Sequence, residues 1–344
     1  MAREEESSEV GELSGAEAGA RPFAPGEMVA CERCARANPP TRMGCLYCGA
    51  PLPVTERSAR LRRPALRPPE EWETGFNVIL LPRAAGAGAA GALGEAASLL
   101  RLETELLREC LTARRPLPLA RAASREEAEL VAERLAAFGL AVEVVTDEDL
   151  TLGTRPFRVR ALELTPDVLV GLGPPGEEPR RWGWPEVGLL VTGRVIRKRV
   201  EVEERREKSR RDGEVVDARE LSEDEAVLDI YPTGDDAAGW RVRGDNFDYS
   251  CLGAGKSLLA RENFVSLVGL LRERAPRAVY DDEYASSRRL LAAAWPPAAR
   301  DDTLGFRREG AGRYSTGAVT TVSNEAQFTR YSRLRYYFAR RRGV

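Results

Sequence analysis

The stretches Cys31-Glu-Arg-Cys34 and Cys45-Leu-Tyr-Cys48, separated by ten residues, decide how the N-terminal part of this chain folds. Each C-x-x-C turn places two sulfurs on one ion, so the two pairs together predict a tetrahedral cage of four thiolates. Thiolates are soft ligands that suit zinc. Four protein ligands also leave no position for water. The sequence therefore predicts one Zn²⁺ with a structural and not a hydrolytic role, held by Cys31, Cys34, Cys45 and Cys48.

Composition excludes several classes of protein. The chain has 344 residues, of which 43% are hydrophobic, and this is enough for two or three small domains. It contains no histidine, and this excludes catalytic triads that use histidine and catalytic zinc sites that have histidine ligands. No apolar run approaches the roughly 20 residues of a membrane span. The start, Met1–Glu6, lacks the features of a signal peptide. With cysteines used as metal thiolates, these observations predict a cytoplasmic protein.

Shifts in composition divide the chain into a multidomain α+β protein. We predict a disordered acidic leader over 1–27, a zinc ribbon over 28–52, a proline- and arginine-rich linker over 53–74, an α/β domain over 75–149, a β-rich domain over 150–278, a helix over 279–299 and a flexible basic aromatic tail over 300–344.

Residues 75–149 predict the order strand, helix, helix, strand, helix, strand, or βααβαβ. The prolines of Pro116–Ala120 favour an edge strand, Ser124–Glu127 is a capping box that opens a helix, and Gly139 closes that helix. The order and the run after Ser124 resemble the C-terminal domain of the bacterial ribosomal stalk protein over about 75–146. The adaptor of the Clp protease is similar in fold. The resemblance implies a module that docks other proteins.

Residues 150–278 predict strands followed by one helix. Alternating residues indicate strands at Phe157–Leu164 and Val168–Leu172, and Val187–Val202 is predicted as a long strand that leads to a hairpin tip at Asp212-Gly213. An amphipathic helix follows further on, and Leu258 and Leu259 are predicted to lie on its inward face. This pattern is similar to a pleckstrin-homology-like barrel over about 154–275, which implies an antiparallel β-barrel-like domain with a C-terminal helix. The glycine-rich Leu252–Ser257 lacks the first glycine of a P-loop, so no nucleotide is predicted there.

Asn38 and Arg42 lie between the two cysteine pairs. The spacing of these residues and the cysteines over 31–50 resembles the zinc finger of Ran-binding-protein type. Some members of that family bind single-stranded RNA and others bind ubiquitin, and the resemblance implies that Asn38 and Arg42 contact bases. The tryptophan that the RNA binders use for stacking is Val29 here. Two alternatives stay open: Asn38 caps a turn, and Arg42 faces water.

The segment 330–342 interleaves six arginines with aromatic residues. Basic and aromatic side chains together suit single-stranded nucleic acid or an anionic surface. Alternatively, the segment folds back on the rest of the chain. The candidate contact residues are Arg333, Arg335, Tyr336 and Tyr337.

The function predicted from these features is that of a non-enzymatic cytoplasmic adaptor that binds zinc and mediates protein–protein interactions. The alternative is an RNA- or ribosome-associated factor that uses the zinc finger and the basic tail. An enzyme would require Cys251 or paired acids to converge in a cleft, and the sequence shows no such set.

Overall fold

The computed structural model describes residues 23–53, 55, 58, 61–62, 64, 66, 74–82, 89–207, 214–234, 239–310 and 313–343. The predicted acidic leader lies outside these residues except at its end, where Pro25–Glu27 form a short 3₁₀ turn. The predicted hairpin tip at Asp212-Gly213 also lies outside them. The chain divides into two compact units, Met1–Arg63 and Pro64–Val344.

The first unit is a small ribbon. Its antiparallel strands are β1 (Val29–Ala30) and β2 (Ala37–Asn38). The unit extends beyond the predicted boundary at residue 52, because Arg62 is buried and its guanidinium donates to the carbonyl oxygens of Leu52 (3.2 Å) and Pro53 (2.8 Å). Part of the predicted linker therefore belongs to the ribbon.

The second unit begins with the predicted order of elements. These are β3 (Phe76–Leu80), α1 (Ala89–Leu100), α2 (Thr104–Thr112), β4 (Leu117–Ala122), α3 (Arg125–Ala137) and β5 (Val142–Thr146). The sheet order is β4-β3-β5, with both pairs antiparallel. The register shifts at Val78/Ile79, opposite Pro118, and β4 lies at the edge as its prolines predict.

Local signals explain the ends of α3. The Ser124 hydroxyl accepts a hydrogen bond from the backbone N–H of Glu127 (3.2 Å), so Ser124 caps the helix as predicted. The Glu127 carboxylate accepts from the backbone N–H of Leu66 (2.7 Å) and so joins α3 to the start of the second unit. Gly139 ends the helix with φ +80°.

Most of the remaining elements form one large sheet and its covering helices. They are β6 (Phe157–Val159), β7 (Ala161–Leu164), β8 (Val168–Leu172), β9 (Arg180–Gly183), β10 (Val187–Glu207), β11 (Glu214–Pro232), β12 (Trp240–Arg243), α4 (Ala260–Arg274), β13 (Val279–Asp281), α5 (Tyr284–Leu291), β14 (Ala298–Gly310), β15 (Arg313–Ser323) and α6 (Glu325–Arg341). The main sheet has the order β14-β15-β10-β11-β12-β6, and β13 pairs with β10. Strands β7, β8 and β9 form a separate sheet.

Three predictions about the sheet and its neighbouring elements need correction. The sheet is mixed and not wholly antiparallel, because β6 runs parallel to β12 and β13 parallel to β10. The predicted strand Phe157–Leu164 is divided at Arg160 between two sheets, since its halves pair with different partners. The predicted helix over 279–299 is only α5, because Val279–Asp281 hydrogen-bond to β10 instead.

Successive side chains of the main sheet point to opposite faces of the sheet. They pack into two different clusters of buried apolar residues, which we call the first core and the second core. On β10, Leu189, Val191 and Val195 face the first core, whereas Leu190 faces the second. The second core also contains Trp240, which stacks on Trp182 with ring centroids 3.9 Å apart, and the buried face of α4. Leu258 and Leu259, predicted to face inward, precede α4 and are exposed.

The first core spans regions predicted to be separate domains. It joins Val78 of β3, Leu189 of β10 and Phe328 of α6 in one cluster. The indole Nε1 of Trp295 donates to Asn77 Oδ1 at 2.8 Å, deep in this cluster. The boundary predicted at residues 149–150 is therefore wrong, because the two regions bury apolar surface against each other.

The prediction of a flexible tail over 300–344 is also wrong. Strands β14 and β15 form a hairpin on β10, and α6 packs against the sheet. Phe328, Tyr331 and Leu334 recur along α6 and are fully buried. Their spacing gives the helix an apolar face, and burial of that face outweighs the charge of its arginines.

Candidate metal centre

Four cysteine side chains converge in the ribbon. The Sγ atoms of Cys31 and Cys48 are 3.6 Å apart, and those of Cys34 and Cys45 are 3.5 Å apart. All four Sγ atoms lie within 4.8 Å of one another. A tetrahedral zinc with Zn–S bonds of about 2.3 Å requires sulfurs about 3.8 Å apart. The four cysteines predicted to bind metal are therefore placed where they could hold one ion.

Two tight turns bring the sulfurs together. The backbone N–H of Ala35 donates to the Cys31 carbonyl (2.7 Å), and that of Gly49 donates to the Cys45 carbonyl (3.0 Å). Both turns end in a left-handed residue, with φ +58° at Ala35 and +70° at Gly49. Glycine takes this conformation without steric cost, whereas Ala35 is strained by its Cβ.

Asn38 holds the two turns in position. Its side chain is completely buried and donates to the Arg36 carbonyl (2.8 Å) and to the Cys45 sulfur (3.5 Å). Its Oδ1 accepts from the backbone N–H of Leu46 (2.8 Å). The amide thus connects the residues after the first cysteine pair to the second pair, and it supplies the outer hydrogen bonds that orient metal ligands.

The environment of the sulfurs separates the pKa values of two thiols. Burial raises the pKa of Cys45, but N–H donors from Tyr47 and Cys48, the Cys34 thiol and the Asn38 amide lower it more, to about 6. The backbone N–H of Arg36 lowers the pKa of Cys34, but burial and the three neighbouring sulfurs raise it overall to about 12. The hydrogen-bond donors around Cys45 therefore favour its thiolate, which is the form that binds metal.

The donor set restricts the chemistry of the centre. Four sulfurs complete a tetrahedral shell, so a bound ion would have no open position for water or substrate. Within the described part of the chain, this is the one group of three or more His, Cys, Asp or Glu side chains close enough to hold a metal ion. A closed shell of this kind stabilises a fold and does not activate water.

The surface of the ribbon differs from the prediction at Asn38. Because Asn38 is 0% exposed, it is not available to a base, and the prediction that it contacts nucleic acid is wrong. Arg42 is exposed. The sequence prediction missed Leu46 and Tyr47, which are 52% and 56% exposed, although their place between Cys45 and Cys48 indicates that they project outward.

The candidate contact residues of the C-terminal segment are occupied within the second unit. Arg333 is buried and donates to Thr151 Oγ1 and the Thr154 carbonyl, both at 3.2 Å. Arg335 forms an ion pair with Asp281 at 2.6 Å. Both arginines anchor α6 within the second unit, as the alternative that the segment folds back on the rest of the chain predicts. The aromatic pair is engaged in the same way: Tyr336 stacks on Tyr231, and the Tyr337 hydroxyl donates to Glu143.

The fold and the centre together define an α+β chain whose ribbon carries a cluster of four cysteines that could bind a metal ion. Searches of protein-family models, curated proteins and solved structures find no match to the chain. In the described residues, no helix combines the length and the apolar character needed to cross a membrane.

Proposed function

We propose that this protein is a non-enzymatic adaptor that holds one structural Zn²⁺ and uses its ribbon to dock a protein partner. The convergence of four Sγ atoms within 4.8 Å, with no other ligand type beside them among the residues that the structure describes, carries the proposal. Zinc is the ion proposed because it favours tetrahedral thiolate coordination and has no redox chemistry to perturb the thiolates.

The docking surface lies on the second cysteine turn. We define the ribbon knuckle as Leu46 and Tyr47 together with Arg36, whose guanidinium carbon lies 4.6 Å from the centre of the Tyr47 ring. Both apolar side chains are more than half exposed. Partly exposed aromatic side chains and arginines are the residue types enriched at protein interfaces. The zinc shell would hold the knuckle rigid, which reduces the entropy lost on binding.

A non-enzymatic role is supported by the state of the groups that an enzyme would need. Burial raises the pKa of the Cys251 thiol, which makes it a weak nucleophile near neutral pH. Asp281 accepts a hydrogen bond from the Tyr331 hydroxyl (2.8 Å) and pairs with Arg335. Asp281 therefore already has structural partners within the second unit.

The test is affinity purification with matched surface variants of the full chain. We expect partner proteins recovered with the wild type to be lost with the double variant Leu46→Ser/Tyr47→Ser. They should be retained with Leu258→Ser, which changes an exposed leucine far along the chain. Bound zinc is measured for every variant. An identical set of recovered proteins for the wild type and the knuckle variant would contradict the docking role.

A second candidate is an RNA-associated factor, and the exposed Arg42 favours it together with the Arg36–Tyr47 pair. An arginine stacked on an aromatic ring can bind a base by stacking and hydrogen bonding. Fluorescence anisotropy against mixed single-stranded RNA tests this candidate, with Arg36→Ala and Arg42→Ala expected to weaken binding. Flat titrations at low salt would remove it.

A further inference from the structure

A cleft of about 980 Å³ opens in the second unit, where β6, the start of β9, β12 and the first turns of α6 meet. Its volume lies in the range of small-molecule sites. Arginines dominate the charged groups of its walls, opposed by fewer carboxylates. These groups are Arg155, Arg158, Arg180, Arg241 and Arg243, with Glu177, Glu178 and Glu325.

The two arginines of β12 are neutralised by the protein. Arg241 binds both oxygens of Asp229, at 2.7 and 2.8 Å, and both side chains are buried. Arg243 donates to Glu225 at 2.6 Å. Glu325 lies near both, 3.8 Å from Arg241 and 3.4 Å from Arg243. These groups form the floor of the cleft. The two guanidiniums of this floor face three carboxylates, so its positive charge is more than balanced.

Arg158 lies beside this floor and has no carboxylate as an ion-pair partner in the described residues. It is the register partner of Arg241 across the parallel pair β6–β12, so the two side chains leave the same face of the sheet. Among the described residues, no carboxylate forms an ion pair with Arg158 or with Arg155, and both are exposed. An incoming anion would give both guanidiniums an ion-pair partner.

Arg180 adds a stacking surface at the same cleft. Its guanidinium carbon lies 4.4 Å from the centre of the Phe157 ring, and Arg180 is exposed. A guanidinium plane held in this way accepts a nucleobase by stacking. Glu177 and Glu178 provide acceptors for hydroxyl or amino groups.

We propose that this cleft binds a nucleotide, either free or as part of single-stranded RNA. Arg155 and Arg158 bind the phosphate, Arg180 stacks on the base, and the glutamates accept hydrogen bonds from the ribose or the base. The site requires no P-loop and does not involve Leu252–Ser257. It is also independent of the metal centre, which belongs to the other unit.

The experiment titrates the full chain with the four ribonucleoside 5′-monophosphates by calorimetry and with fluorescein-labelled single-stranded RNA by anisotropy. Arg158→Ala and Arg180→Ala each remove one contact, and we expect each to weaken binding about tenfold. Arg158→Ala should also flatten the salt dependence of RNA binding by about 0.7 in the log–log slope. Arg181→Ala is the matched control, because Arg181 is the exposed neighbour of Arg180 on β9 and does not line the cleft.

The two arms identify the source of the nucleotide. Binding of the monophosphates supports a free nucleotide, whereas binding of RNA alone supports a strand. Absence of both, or equal affinities for Arg158→Ala, Arg180→Ala and Arg181→Ala, would overturn the proposal. Loss of RNA binding in Cys45→Ser with full binding in Arg158→Ala would overturn it too, because the ribbon would then be the RNA site. Circular dichroism confirms that each variant is folded.

Discussion

Hydrogen bonds from single side chains hold the ribbon together, because its strands are very short. Asn38 is the clearest case, because one buried amide bonds a carbonyl, a backbone N–H and a ligand sulfur at once. In the second unit, Gly193 is important for packing because it has no side chain. Aromatic rings lie where a Cβ on this residue would be.

Replacing Asn38 by alanine should weaken zinc binding about 10–100-fold, the usual effect of losing an outer hydrogen bond to a metal ligand. Asn38→Asp keeps the acceptor for the Leu46 N–H but loses the donor to Cys45, so it should also bind zinc more weakly. Competition with a chromophoric chelator measures the affinity. Arg42→Ala is the control, and an Asn38→Ala affinity equal to that of the control would refute the role.

Gly193→Ala should destabilise the second unit by about 1–3 kcal/mol. The added Cβ would lie 2.5 Å from Phe328 Cε2 and 2.9 Å from Tyr284 Cδ1, closer than packed atoms allow. Gly269→Ala, in α4 with no atom within 4 Å of its Cβ, should stabilise by up to about 1 kcal/mol. Urea denaturation of both variants checks the opposite signs, and a neutral Gly193→Ala would contradict the packing.

Buried tyrosines predict a loss of stability at alkaline pH. Burial raises the pKa of Tyr249 to about 12, and its hydroxyl donates to the Gly244 carbonyl (2.9 Å). A raised folded-state pKa stabilises fully below the unfolded value near 10, and this stabilisation is lost as pH rises toward 12. Denaturation at a series of pH values should show the fall. It should be shallower in Tyr249→Phe, and an identical slope would exclude this tyrosine as a source.

At the scale of elements, α6 is the main support of the second unit. It contributes Phe328, Tyr331 and Leu334 to the first core. Its Glu325 lies beside β12, and its Tyr337 reaches Glu143 of β5. The helix therefore contacts both the α/β region and the main sheet.

Removal of residues 325–344 should unfold the whole second unit, including the α/β region at 75–149. Each large buried side chain lost costs several kcal/mol, and the sum exceeds the roughly 5–15 kcal/mol of a typical domain. Limited proteolysis and circular dichroism measure the result, and removal of 342–344 alone is the control. A truncated chain that keeps residues 75–149 protected would show that this region has an independent core.

At the scale of the molecule, each of the two units has apolar clusters of its own. The ribbon cluster consists of Val29, Leu52 and the cysteines with Ala50, whereas the two larger clusters lie in the second unit. The ribbon has too few apolar side chains to fold by burial alone, so we expect it to depend on its metal.

Cys45→Ser should therefore lower the zinc content of the protein and unfold the ribbon without changing the melting temperature of the second unit. Elemental analysis gives the zinc content, and backbone NMR reports on each unit separately. Cys110→Ser, which changes a buried cysteine outside the cluster, is the control for zinc content. Full zinc content in Cys45→Ser would exclude the four-thiolate site.

The sequence by itself determined the features that depend on neighbouring residues. The two C-x-x-C turns, the Ser124 cap and the Gly139 stop were predictable because each is formed within a few residues. The order of elements in 75–149 was predictable from short-range periodicity for the same reason.

Only the tertiary structure decided how these pieces share a core. The Trp295–Asn77 hydrogen bond joins positions 218 residues apart, and no local pattern indicates such a pair. Likewise, the arginines of α6 suggest a solvated segment until Thr151 and Asp281 are placed beside them. The face of a basic helix that is buried depends on its partners, and those partners are brought to it by the fold of distant parts of the chain.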